Sequence, residues 1–282
     1  MPVPTTPRRV ALVVNPSRPG AEVLAEQARR WWEAQGYSVV VDRVGGAVVS
    51  ALTESLAFAI SFGGDGTMLR AVQATAGRGV PVLGVNLGKL GYLTEVEPET
   101  ATAAFARLAA GDYAIESRMA LEIHVETGLE DHQRPFTAIN EVAIERVTPG
   151  HTVRLAVQID GSPFLTYAAD GLLVATPTGS TAYNLSARGP VLSPRLRALV
   201  LTAISPHGLF DRSVVLSSDQ RVSVRVLTDH EVALVLDGSA VARLRRDDEI
   251  HIGAAQSEVA FVSLGQRDFH AVLRAKFSVA DR

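Results

Sequence analysis

The sequence contains no cysteine. Disulfides, thiolate nucleophiles and metal held by protein thiolates are therefore excluded, and the redox compartment cannot be read from this source. No apolar stretch is long enough to span a bilayer. The VALVV run after Arg8 and Arg9 is too short for the hydrophobic region of a signal peptide, so a cytoplasmic location is the expectation. Basic runs and basic helix faces are also missing, and the formal net charge is −3. Neither nucleic acid nor an anionic membrane is an expected partner. The densest charge cluster, RLRRDD at 243–248, reads as a solvated turn.

What is present is 282 residues, 47% of them hydrophobic, enough for two cores. Residues 1–111 alternate strand and helix. Apolar runs at Val10–Val14, Ser38–Val41, Ala57–Phe62 and Val80–Val85 are separated by helical spacings such as GAEVLAEQARRWWEAQG and PETATAAFARLAA. That order predicts a Rossmann-like α/β domain with a parallel sheet. From 112 to 262 the period becomes two, in LEIHVET, TVRLAVQID, RVSVRVL, EVALVLD and EIHIG, which predicts a mainly β second domain. DGS at 160–162 and again at 237–239 reads as a hairpin turn each time. Residues 263–282 carry RDFHAVLRAKF, a short helix expected to pack back on the first domain.

Four stretches could carry chemistry. In AFAISFGGDGTML at 57–69, one carboxylate, Asp65, stands among three glycines in a strand-to-helix turn. Such a turn lets backbone amides approach a phosphate, and the helix start favours its charge. The same residues also suit a tight turn in which Asp65 or Thr67 caps the helix. The stretch is neither a Walker A loop nor a dinucleotide fingerprint. NLGKLGYLTE at 86–95 follows a strand and could line the same cleft, or serve as a long βα loop. Asn140 and Glu141 interrupt an apolar strand, which suits ribose hydroxyls or an edge bulge. DGLLVATPTGSTAYNLSARGP at 170–190 is the most informative: a strand, then hydroxyl-rich TPTGSTA, then a helical segment near Thr178–Ala187 carrying Tyr183 as an apolar face.

Taken in this order and at these spacings, GGDGTML, NLGKLGYLTE, the Asn-Glu pair and ATPTGSTAYNLSA resemble the NAD kinase family, over about Val10 to Phe277. The resemblance implies phosphorylation of the adenosine ribose 2′-hydroxyl of NAD by ATP or, in some members, inorganic polyphosphate. It also implies Mg²⁺ or another divalent metal, the two-domain fold, and a homodimer or homotetramer. By motif, Asp65 matches the family's catalytic aspartate, with Gly66 beside it, and Asn140 and Glu141 match its dinucleotide-binding pair. Asp170, Thr178, Thr181, Ala182, Tyr183 and Ser186 match positions that enclose the nucleoside ends. Arg188 stands where many members have glycine, and Ser239 where many have glutamine.

Physical reasoning agrees with that mechanism. Phosphoryl transfer asks a protein mainly to position groups and offset charge. An aspartate is ionised at neutral pH and can take up a hydroxyl proton. Two other readings remain: a lipid or sugar kinase sharing the GGDGT turn, and a dinucleotide sensor without turnover.

Overall fold

The computed structural model describes residues 8–43, 45–52, 55–127, 135–265 and 268–278. The MPVPTTP start, on which part of the signal-peptide reading rests, lies outside the described residues. Two compact units are present, one made of described residues up to Ser117 and from Val259 onward, the other of Arg118–Glu258.

The first unit opens with β1 (Arg9–Val14), α1 (Ala21–Ala34), β2 (Ser38–Asp42) and α2 (Ala47–Ser50). β3 (Phe58–Gly63), α3 (Asp65–Thr75), β4 (Val82–Asn86), α4 (Ala101–Ala110) and β5 (Ala114–Arg118) follow. β1, β3 and β4 run parallel, with Val10 to Val14 in register with Phe58 to Phe62. Their residues are almost wholly buried, as a sheet covered on both faces requires. α1 buries Ala21, Ala25, Ala28 and Trp32, one stripe at helical spacing. Trp32 meets Tyr37 edge-on at 4.9 Å and lies 6.0 Å from Phe105 of α4, joining both helices to the sheet. Gly36, at φ 80, turns the chain out of α1 where a side chain would be strained.

The second unit contains β6 (Leu121–Glu126), β7 (Phe136–Ala138), β8 (Glu141–Arg146), β9 (Val153–Ile159), β10 (Ser162–Ala169) and β11 (Gly171–Ala175). After α5 (Tyr183–Ser186) come β12 (Ala198–Ile204), β13 (Val214–Ser217), β14 (Val222–Val226), β15 (Val232–Leu236), β16 (Ser239–Leu244) and β17 (Glu249–Ala254). These strands form two six-stranded sheets, ordered β10-β9-β14-β17-β6-β7 and β13-β12-β11-β8-β15-β16. Alternate residues such as Ile123, Leu155 and Val224 of the first meet Val142, Ile144, Leu172 and Val174 of the second in one core. The other face of the second sheet, with Ala143, Leu173, Ala175 and Val200, lies under Tyr183, Ala187 and Leu192. This second cover explains why Gly171–Ala175 is buried throughout.

β18 (Val259–Ser263) and α6 (Phe269–Ser278) belong to the first unit. β18 pairs parallel with β4 at Phe261 and Val82, completing the order β2-β1-β3-β4-β18-β5. Its four consecutive apolar residues, Val259–Val262, break the alternation of the β-rich stretch close to the point where the chain changes units. Both DGS turns are tight hairpins with two residues in the left-handed region, Asp160 and Gly161 at φ 51 and 75, Asp237 and Gly238 at φ 47 and 78. The helical segment expected near 178–187 is two short pieces, a 3₁₀ turn at Gly179–Thr181 and α5, broken at Ala182 (φ −99, ψ −123). No helix among the described residues is long and apolar enough to cross a membrane.

Candidate functional site

In the first unit's sheet β2 and β3 lie on opposite sides of β1, so the chain reverses direction across the sheet between β1 and β3. Open α/β sheets bind ligands at the carboxyl ends of strands at such a point. The GGDGT turn occupies the carboxyl end of β3. Its glycines have different reasons to be there. A Cβ on Gly63 would stand 2.1 Å from Thr67 Oγ1, so packing requires glycine. At Gly64 and Gly66 a Cβ would meet nothing within 4 Å. The backbone of Gly64 is extended, with φ −109 and ψ −166. These two positions keep the space on both sides of Asp65 open.

Asp65 is the first residue of α3, and its carboxylate reaches the 86–95 loop. Oδ2 accepts a 2.7 Å hydrogen bond from the Tyr92 amide, and Oδ1 one of 2.9 Å from the Leu93 amide. Gly91 makes this approach possible, since a Cβ there would stand 2.2 Å from Asp65 Oδ1. Thus the loop and the turn share one cleft, anchored on the carboxylate. Lys276 of α6 places Nζ 4.0 Å from the centroid of the Tyr92 ring. Burial, with the Asp65 charge adding to it, pushes the Tyr92 hydroxyl above its ordinary pKa.

In the second unit the Asn-Glu pair sits where β8 begins. Asp237, in the turn between β15 and β16, accepts hydrogen bonds from three successive amides: Ile139 at 2.9 Å, Asn140 at 2.7 Å and Glu141 at 3.2 Å. On the other side, Thr176 Oγ1 donates to the Ile139 carbonyl at 2.6 Å, and the Thr176 amide to the Asn140 carbonyl at 2.8 Å. A Cβ on Gly179 would stand 2.1 Å from that same Asn140 carbonyl oxygen. Asn140, Glu141 and the TPTGS loop are therefore locked together. The loop's hydroxyls serve its own shape to a large extent: Ser180 Oγ donates to the Pro177 carbonyl at 2.6 Å and accepts from the Leu192 amide at 2.9 Å. Thr181 Oγ1 donates to the Thr178 carbonyl at 3.3 Å. Arg118 Nη1 donates to Thr178 Oγ1 at 3.4 Å, bringing a cation to the loop. Ala182 and Tyr183 stay half-buried and Ser186 is exposed.

Period two along β8 puts Glu141, Ala143 and Glu145 on the face covered by Tyr183. Glu141 is 5% exposed, and its Oε2 has no hydrogen-bond partner among the described residues. Burial, reinforced by the negative Asp237, pushes its carboxyl up to about 8, against the opposing effect of the Tyr183 amide. Glu145 is hydrogen-bonded to the Tyr183 hydroxyl, and burial raises its carboxyl as well. Tyr183 itself is pushed up to about 12 by burial and then by the charges of Glu145, Asp170 and Glu141. Asp170 pairs with Arg146 at 2.8 Å.

Sequence reasoning missed Asp237, Glu145, Arg146 and Arg118. Asp237 stands in a DGS turn identical to that of Asp160, whose carboxylate instead accepts from the Arg221 amide at 2.8 Å. The signal that separates them is distance in the chain, invisible to a local motif. Arg188 adopts φ 66, the left-handed region that glycine occupies without strain. Among the described residues no three His, Asp or Glu side chains are grouped to hold a metal ion.

Family models match both halves of the chain: the ATP-NAD kinase N-terminal domain over residues 45–113 and the ATP-NAD kinase C-terminal domain over 139–264. An NAD kinase from Heliobacterium modesticaldum is 38% identical over 277 residues, 95% of this chain and 97% of that protein. Two solved structures share the fold at 24% identity. A yeast NADH kinase complexed with NADH has a TM-score of 0.84, covering 96% of this chain and 87% of its own. An NAD kinase from Archaeoglobus fulgidus in complex with ATP has a TM-score of 0.75, covering 95% and 98%. Matches of this extent across the GGDGT turn and the TPTGSTAY block alike place the chain in one lineage: it belongs to the NAD kinase family.

Proposed function

We propose that the chain transfers the γ-phosphoryl group of ATP to the 2′-hydroxyl of the adenosine ribose of NAD, giving NADP and ADP. The observation that carries this reading is the setting of Asp65, a carboxylate fixed by two backbone amides with open space beside the glycines flanking it. The bond between the γ-phosphorus and the β,γ-bridging oxygen breaks, and a bond from the ribose oxygen to that phosphorus forms. The hydroxyl proton passes to Asp65 and from there to water. A carboxylate has about four lone-pair positions, so the two amides leave acceptor capacity for this hydroxyl. Fixing the carboxylate supplies the positioning on which phosphoryl transfer depends.

A divalent metal fits this site in one way. With no protein cage among the described residues, Mg²⁺ would be held mainly by donor phosphates and water, the usual habit of that ion in phosphoryl transfer. When bound it offsets the phosphate charge. The amides at the start of α3 favour the same anion. Asn140 and Glu141 meet ribose hydroxyls, for which the buried Glu141 Oε2, without a partner among the described residues, is suited. Asp170, Thr178, Thr181, Ala182, Tyr183 and Ser186 enclose the nucleoside ends, and Gly66 gives the acceptor room. Polyphosphate as a second donor and a homodimer or homotetramer complete the proposal.

Incubating the purified protein with NAD, ATP and Mg²⁺ tests this reading, with NADP as the product measured. NADP formation that needs all three components is expected. Tight NAD binding without NADP from either ATP or polyphosphate would instead make the protein a sensor.

A further inference from the structure

We propose that Glu145 is a specificity-determining residue: with Asp170 it makes the surroundings of Tyr183 anionic, so that the site prefers the cationic nicotinamide of NAD to the neutral dihydronicotinamide of NADH. The inference rests on the reading of the chain as a dinucleotide kinase.

Its basis is the way β8 and β11 present their side chains. Glu145 lies opposite Gly171 in the β8–β11 register, next to Asp170. A Cβ on Gly171 would stand 3.2 Å from the Glu145 Cα, so glycine is what lets the strands close here. Glu145 thereby reaches the Tyr183 hydroxyl as a hydrogen-bond acceptor. The charges of Glu145 and Asp170 both act on Tyr183, whereas the buried Glu141 is held protonated near neutral pH and adds none there. Arg146 offsets one of them, pairing with Asp170 at 2.8 Å. The balance around the ring is negative.

An aromatic face bordered by carboxylates is chemistry that selects a flat cation. A dinucleotide offers two flat rings, adenine and nicotinamide, and of these the oxidised nicotinamide carries the positive charge. Reduction to NADH removes that charge and leaves the rest of the molecule nearly the same in size. A single partly screened carboxylate a few ångströms from the ring gives a discrimination of about threefold to tenfold.

Glu145→Gln removes the charge and keeps an acceptor for Tyr183. The experiment compares kcat/KM for NAD and for NADH at fixed ATP in the parent, Glu145→Gln and Glu145→Asp. The expected result is a parent that prefers NAD, a fall of about threefold to tenfold in the NAD:NADH ratio for Glu145→Gln, and a ratio kept by Glu145→Asp. The KM for ATP should stay within about twofold. Equal losses on both dinucleotides would make Glu145 a structural residue and overturn the proposal, as would an unchanged ratio. A parent that uses NADH as well as NAD overturns it without any variant. A parent active on NAD whose ratio ignores Glu145 leaves the kinase reading standing, whereas a parent active on neither removes both.

Discussion

Asp237 accepts a 2.7 Å hydrogen bond from the backbone amide of Asn140, a residue 97 positions earlier in the chain. The same carboxylate serves the amides of Ile139 and Glu141, so one side chain organises the start of β8. Asp237→Ala leaves those amides without their acceptor. It should lower unfolding free energy by about 2–4 kcal/mol, the scale for stranding more than one buried donor. Denaturant unfolding measures the loss, and the KM for NAD should rise more than that for ATP.

Glu141 supplies a pH signature. Its carboxyl is raised from 4.5 to about 8 in the folded chain, mainly by burial. Its contribution is therefore fully present below the unfolded value, declines as pH rises between the two values, and is lost above about 8. Glu141→Gln mimics the protonated side chain and removes this dependence. Parent and variant should match in stability near pH 5, with the variant ahead on the order of a few kcal/mol near pH 9. Parallel pH profiles would show that Glu141 is not held protonated.

Arg188 is exposed and adopts φ 66, a conformation costing a non-glycine residue about 1–2 kcal/mol. Arg188→Gly should raise stability by about 0.5–1 kcal/mol, because glycine also gains freedom in the unfolded chain. If the same variant raises the KM for ATP, the arginine meets a phosphate; if kinetics are unchanged, it is a surface substitution at a strained turn.

Gly91→Ala probes the cleft without touching a charge. The added methyl carbon would stand 2.2 Å from Asp65 Oδ1, so the 91–93 segment or the carboxylate must move. A displacement of this size at a reacting group reduces turnover about 10²-fold. Stability should fall by about 1–3 kcal/mol from overpacking. Gly66→Ala is the control, since the methyl there meets no protein atom and any loss must come from ligand contact.

Local patterns made much of the fold legible. The continuous apolar runs at β1, β3 and β4 and the period-two runs at β6, β9 and β14 identify themselves, because burial on two faces or one leaves a different trace. Less visible was the place of β18: its apolar run Val259–Val262 departs from the alternation of its predecessors, but nothing local shows that it pairs with β4 in the other unit. Pairing across so many residues leaves no local mark. The site divides likewise. Asp65 and Tyr183 stand in motifs, whereas Asp237 and Glu145 act through contacts that exist only after folding. The hydroxyl count of TPTGSTA also misleads, since Thr176 spends its proton on the Ile139 carbonyl and Ser180 on the Pro177 carbonyl of the loop itself.

The most direct test of the account is the single-turnover rate of NADP formation by Asp65→Asn, with NAD affinity measured on the same preparation. Asparagine cannot accept a hydroxyl proton, and its amide nitrogen cannot accept from Tyr92 or Leu93, so one of the two anchoring bonds goes as well. The account predicts NAD binding within a few fold of the parent, a stability loss of about 1–3 kcal/mol, and a rate lower by about 10²-fold to 10⁴-fold. A rate within about threefold of the parent, with the same stability loss, would show that Asp65 anchors the loop and does not act on the ribose hydroxyl.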